Sequence, residues 1–135
     1  MKRMLAVAAI AILPLVVGGP ADALTNYPTE HNSTTGAQAD CDLITYITYV
    51  HDDTAQITCD ISDTLADGDS VYVEWWQDGF GHVQLKNENG SGTTVHRVDA
   101  RFNPDGSFET VYWKVCRDIS FYPDNCSSTK QWVVH

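Results

Sequence analysis

The chain has 135 residues, 43% of them apolar, with 18 acidic against 8 basic residues and a net charge of −10, which fits one modest acidic domain and excludes two. That charge makes nucleic acid a poor partner, and no cluster of Lys and Arg is present to hold an anionic membrane. The acidity suits a soluble protein kept apart by mutual repulsion.

Residues 1–23 differ from the rest. Lys2 and Arg3 precede an apolar run from Leu5 to Val17, followed by the small-residue pattern Ala21, Asp22, Ala23. This is the layout of an export signal, with cleavage expected after Ala23. The apolar run is shorter than the roughly 20 residues of a bilayer crossing, so the mature chain is expected to be secreted, with no membrane segment left after cleavage. Residues 24–40 read LTNYPTEHNSTTGAQAD, polar and turn-rich, and are expected to form a flexible lead-in to a domain over 41–135.

All four cysteines, Cys41, Cys59, Cys116 and Cys126, lie in the exported part. An even number in an oxidising compartment reads as two disulfides, for which three connectivities exist. Local pairing, Cys41 with Cys59 and Cys116 with Cys126, is favoured because each pair would staple one hairpin. Loops of such size give about 3 kcal/mol each by restricting the unfolded chain. Zinc fails on spacing: no CxxC pair exists and the histidines are scattered.

From Leu43 onward, short runs rich in Val, Ile, Thr, Tyr and Trp alternate with Gly, Asp, Asn or Pro. Seven strands are expected: 43–50, 55–61, 70–77, 82–87, 93–101, 108–117 and 130–134. In the third, Val71, Val73 and Trp75 share a face opposite Tyr72, Glu74 and Trp76; in the fourth, Val83 and Leu85 oppose His82, Gln84 and Lys86. The sixth sets Val111, Trp113 and Val115 against Tyr112, Lys114 and Cys116, and Ile57, Cys59 and Ile61 mark the inner face of the second. The first strand leaves both of its faces as candidates for the inside.

If the third and fourth runs form a hairpin, Trp75 should oppose Val83 and Trp76 should oppose His82, with an odd-numbered loop around Asp78 to Phe80. A two-residue turn at Asp78 and Gly79 would set Glu74 against Val83 and bury a charge.

Seven one-sided strands are best buried by stacking two sheets. The expected fold is an all-β, two-sheet β-sandwich of about seven strands, with the third, fourth, sixth and seventh strands packed on the first, second and fifth. It resembles immunoglobulin-like or fibronectin type III-like domains, and that resemblance implies architecture alone. An up-and-down meander or small barrel is the alternative. The segments VYWKVCRD and FYPDNCSS, with the export signal, resemble a group of uncharacterised small two-disulfide secreted proteins of actinobacteria. This resemblance spans about Cys41 to Ser128 and implies no catalytic residue.

Two surfaces could carry binding. The outer face of the third, fourth and sixth strands would gather Tyr72, Glu74, Trp76, His82, Gln84, Lys86, Tyr112 and Lys114, able to stack on a sugar or dock a protein. The bland account of the same residues is local: Trp76 packs on His82, and Glu74 pairs with Lys114. The second surface is CRDISFYPDNC, where a Cys116 to Cys126 bridge would restrain Arg117, Phe121 and Tyr122 and lower the ordering cost of binding. Its bland account is a tidied strand connection.

Asp60, Asp63, Asp67 and Asp69 offer oxygens that calcium takes, but EF-hand order is absent and turn chemistry explains Asp67, Gly68 and Asp69. His51 beside Asp52 and Asp53 has no accompanying nucleophile motif. Asn32, Asn89 and Asn125 each open an Asn-x-Ser/Thr triplet, which matters in a glycosylating host. The expectation is therefore a secreted non-enzymatic module that binds an extracellular protein or glycan without cofactor or metal. The alternatives are an inhibitor of a secreted hydrolase acting through loop 116–126, and a small extracellular hydrolase. No feature assigns an oligomeric state.

Overall fold

The computed structural model describes residues 23–47, 53–103 and 109–134. The expected export signal and the His51–Asp52 pair lie outside the described residues, apart from Ala23 at the signal's end. Among the described residues there are nine strands: β1 (Ala23–Thr34), β2 (Ala37–Ile47), β3 (Asp53–Asp63), β4 (Ser70–Gln77), β5 (Val83–Asn87), β6 (Thr94–Asn103), β7 (Thr110–Asp118), β8 (Asn125–Cys126) and β9 (Lys130–Val133). No helix among these residues is long and apolar enough to cross a membrane.

The strands form two antiparallel sheets. One has the order β1-β2-β3-β6; the other has β5-β4-β7-β8, with β9 also paired to β7. Packed face to face they make a β-sandwich whose layout is compatible with an immunoglobulin-like domain. The expected partition of strands between sheets holds, as does the hairpin register, with Trp75 opposite Val83. Both disulfides join directly opposed residues of neighbouring strands, Cys41 with Cys59 and Cys116 with Cys126.

Segment 24–40, expected as a flexible lead-in, is instead strand β1 and the start of β2. Its composition hides this because β1 is an edge strand carrying Pro28 at an irregularity between Tyr27 and Glu30, where a missing N–H costs no ladder bond. The β1–β2 hairpin closes with Thr34 opposite Ala37, around Thr35 and Gly36. Gly36 has φ 85°, and a Cβ there would stand 2.9 Å from Arg117 Cδ and 3.0 Å from Leu65 Cβ, so both backbone angle and space require glycine.

The core lies between the sheets. Val71, Val73, Trp75, Val111, Trp113 and Val115 from one sheet meet Cys41, Leu43, Ala55, Ile57, Cys59 and Ile61 from the other, all fully buried. Each such Val, Leu or Ile contributes about 1.5–3 kcal/mol by leaving water. Leu43 settles the first expected strand: Cys41, Leu43 and Thr45 face in, Tyr46 out. Trp113 stacks on Trp132 at 5.7 Å, and the Trp132 indole N–H donates to the Pro28 carbonyl at 3.3 Å, tying β9 to β1.

Several inward positions at strand ends are polar. Asn87, fully buried, donates to the carbonyls of Ile61 and Thr93. Asp63 accepts from the backbone N–H of Leu65. Thr45, Asp53 and Gln77 are buried with side-chain polar atoms that lack partners.

Pairing also fixes which connections share an end. Ala37 opposes Asp63, Asn87 opposes Val71, and Ser70 opposes Asp118. The connections 34–37, 64–69, 88–93 and 118–125 therefore leave the sandwich at one end.

Candidate functional site

The outer face of the β5-β4-β7 sheet gathers most of the expected side chains, and they engage one another. Alternation along β4 and β7 turns Trp76 and Tyr112 outward, and cross-strand pairing sets them side by side. The Trp76 ring stacks on His82 with centroids 4.5 Å apart and planes 7° apart, and on Tyr112 at 5.6 Å and 15°. Glu74 bonds Lys114 at 2.9 Å and His82 Nδ1 at 3.3 Å, while Lys114 Nζ lies 5.7 Å from the Trp76 centroid. Lys86 stands 3.9 Å from Asp118. A ring flanked on both sides offers a sugar its edge more than its face, and Glu74 is already matched.

Tyr72 stays on this face but is covered. It is 4% exposed because the connection after β7 folds over it, and its hydroxyl donates to Asp124 Oδ2 at 2.5 Å. Burial, then the bond to Asp124 and the charges of Asp124, Glu74 and Asp118, hold its pKa well above the ordinary tyrosine value.

That connection is the second expected surface, and it is built as a rigid loop. Cys116 pairs with Cys126 and Arg117 with Asn125, creating β8, and the disulfide closes the base. Thr34 of β1 donates to Asn125 Oδ1 at 3.1 Å, Asn32 donates to the Ser128 carbonyl at 2.8 Å, and Ser127 N–H donates to the Val115 carbonyl at 2.9 Å. With Tyr72 held to Asp124, the loop is fixed on both flanks.

At the tip, Tyr122 N–H donates to the Ile119 carbonyl at 3.2 Å, closing a turn in which Phe121 has φ 69°. That backbone region favours glycine, and an aromatic residue there costs about 1–3 kcal/mol, sustained by the surrounding restraints. Phe121 is fully exposed and Tyr122 is 73% exposed.

Arg117 is not part of the tip. Its guanidinium contacts Asp67 at 2.7 Å and Asp69 at 3.3 Å, with little solvent exposure, bracing the β3–β4 connection. The reason is parity: Val111, Trp113 and Val115 face inward, and Arg117 is the next position on that side, turned at the sheet's end toward two carboxylates. Asp67 and Asp69 are therefore engaged by a cation of the protein itself. Asp63 caps the following turn and Asp60 bonds His96, so the four aspartates divide among three separate tasks. Among the described residues, no three His, Cys, Asp or Glu side chains converge on a metal position.

The histidines are dispersed. His31 Nδ1 lies 2.8 Å from Asp40, and His96 Nδ1 lies 2.7 Å from Asp60, in one exposed row on the outer face of the β1-β2-β3-β6 sheet, where Asp40 and Asp60 are directly opposed. Of the three Asn-x-Ser/Thr triplets, Asn32 is buried and Asn125 is bonded to Thr34, whereas Asn89 is exposed in the β5–β6 turn.

Sequence reading found the loop and both its aromatic residues. It missed the anchors Thr34, Asn32 and Asp124, of which two sit on a strand that was not expected. No protein-family model matches the chain, and no curated protein matches it in sequence.

Proposed function

We propose that this is a secreted, non-enzymatic binding module that recognises an extracellular protein by inserting Phe121 and Tyr122 into an apolar pocket of its partner. The carrying observation is the tip itself, two exposed aromatic side chains on a turn with a left-handed Phe121, in a loop closed by a disulfide and anchored by side-chain bonds from Tyr72 to Asp124 and Thr34 to Asn125. Exposed Phe and Tyr would give large apolar contact, and a loop already ordered loses little entropy on binding. The two disulfides suit an oxidising compartment, in keeping with the export signal and with the resemblance to small secreted actinobacterial proteins.

A pocket on a secreted hydrolase would make the module an inhibitor. The tight turn at Phe121 favours plugging a cavity over mimicking an extended substrate strand. Glycan recognition by the outer aromatic face has weaker support, because His82, Trp76 and Tyr112 stack on one another.

The test is capture from native secretion medium by the immobilised wild-type protein, compared with a Phe121→Ser/Tyr122→Ser double variant and with Trp76→Ala. A partner held by wild type and Trp76→Ala but lost from the loop variant, at unchanged thermal stability, supports the reading. Retention by the loop variant together with loss from Trp76→Ala would move recognition to the outer face and overturn it.

A further inference from the structure

The β5–β6 turn carries Asn89 followed by Gly90, and we infer that Asn89 is a site of spontaneous deamidation that adds negative charge to the loop-bearing end of the sandwich. In this reaction the Gly90 backbone nitrogen, losing its proton to hydroxide, bonds to the amide carbon at the end of the Asn89 side chain. The bond between that carbon and the Asn89 amide nitrogen breaks and ammonia leaves, closing a succinimide ring. Water then opens either ring carbonyl, giving aspartate or isoaspartate. No oxidant or enzyme is needed.

The structure distinguishes Asn89 from the other asparagines. Asn89 is exposed, and its ordered contact runs through its backbone N–H, which donates to Asn87 Oδ1 at 3.0 Å. Gly90 has no side chain to hinder attack, and a Cβ placed there would meet nothing within 4 Å, so the space around the nucleophile is open. Asn87, two residues earlier, is fully buried, with its amide nitrogen bonded to Ile61, to the Thr93 carbonyl and to Thr93 Oγ1. The Asn32 amide is buried on Ser128, and Asn125 precedes a disulfide-bonded cysteine. Asn26 precedes bulky Tyr27, and Asn103 precedes Pro104, whose nitrogen carries no proton to lose.

The modified turn lies beside functional parts. Asn87 and Arg117 flank Val71 on the two sides of β4, so the turn and the disulfide loop emerge together. Gly92 N–H donates to the Asp63 carbonyl, which fastens the turn to the end of β3, and Thr93 N–H donates to the Gly90 carbonyl within the turn. A new carboxylate here joins Asp67, Asp69, Asp118 and Asp124 at one end of an already acidic protein. Isoaspartate would also lengthen the backbone inside that hydrogen-bonded turn. This inference stands whether or not the loop binds a partner.

Purified folded protein is incubated at mildly alkaline pH beside a linear peptide of residues 86–94, and both are followed by peptide mapping with isoaspartate-specific methylation. Conversion confined to Asn89, and abolished in Asn89→Gln, is the expected result. Two results would overturn the inference: Asn89 remaining intact after the linear peptide has converted, or conversion at Asn87, Asn32 or Asn125 ahead of Asn89.

Discussion

Tyr72 and Asp124, 52 positions apart in sequence, meet at a hydrogen bond of 2.5 Å that pins the outer flank of the disulfide loop to β4. A hydrogen bond to a charged group is worth about 1.5–3 kcal/mol, so Tyr72→Phe should lower stability by roughly that much at neutral pH. The pH dependence follows from the raised folded pKa of Tyr72, whose first cause is burial. An unfolded tyrosine titrates near about 10. The contribution is therefore whole below that pH and is lost as pH rises through the higher folded value. Urea unfolding across the alkaline range checks both parts: wild type should lose stability steeply there, and Tyr72→Phe should lose less.

Trp76→Ala should cost about 1–3 kcal/mol, because it removes two stacked ring partners and a half-buried side chain from the outer face. His82→Ala should cost less, since one ring contact and a single polar contact with Glu74 disappear. Thermal unfolding ranks the two. Equal costs would mean that the burial of Trp76 and its contact with Tyr112 add nothing to the His82–Trp76 contact.

The two-sheet partition was legible because period-two alternation is unambiguous in β4 and β7, where Val71, Val73, Trp75 and Val111, Trp113, Val115 face in, while the Leu43 strand left both faces open until the structure settled it. The same rule, carried one step further, also places Gln77 and Arg117 on the inner side, although their chemistry argues for the outside. At the strand ends parity dominates, and the side chain finds a local partner, as Arg117 does, or remains without one, as Gln77 does. Strand β1 escaped notice because an edge strand needs only one ladder and tolerates Pro28 and polar residues that a central strand would not. The loop tip was legible as composition. Its left-handed Phe121 was not, since nothing local in SFYP demands a positive φ, and the loop's anchors Tyr72 and Thr34 are distant in sequence.

The two disulfides should separate stability from recognition. Cys41 and Cys59 are 18 residues apart and fully buried, so Cys41→Ala/Cys59→Ala combines the lost restraint with a vacated core and should cost about 3–5 kcal/mol. Cys116 and Cys126 are 10 apart, and Cys116→Ser/Cys126→Ser should cost less, about 2–3 kcal/mol. The second variant should nonetheless lose more partner capture, because the restraint on Phe121 goes with it. Calorimetry and capture measured on the same samples give both orders.

Gln77 offers a substitution expected to stabilise. Its side chain is 3% exposed, and both amide atoms lack partners between the sheets. A buried polar group without a partner carries an uncompensated desolvation cost of about 1–3 kcal/mol. Gln77→Met keeps nearly the same length and flexibility while removing that cost, and a volume-conserving exchange introduces little packing strain. The variant should raise the urea midpoint at constant slope, corresponding to a gain of about 1 kcal/mol in unfolding free energy after allowance for imperfect fit. If Gln77→Met destabilises instead, the amide has partners in solution, for which ordered water at this end of the core is the physical candidate.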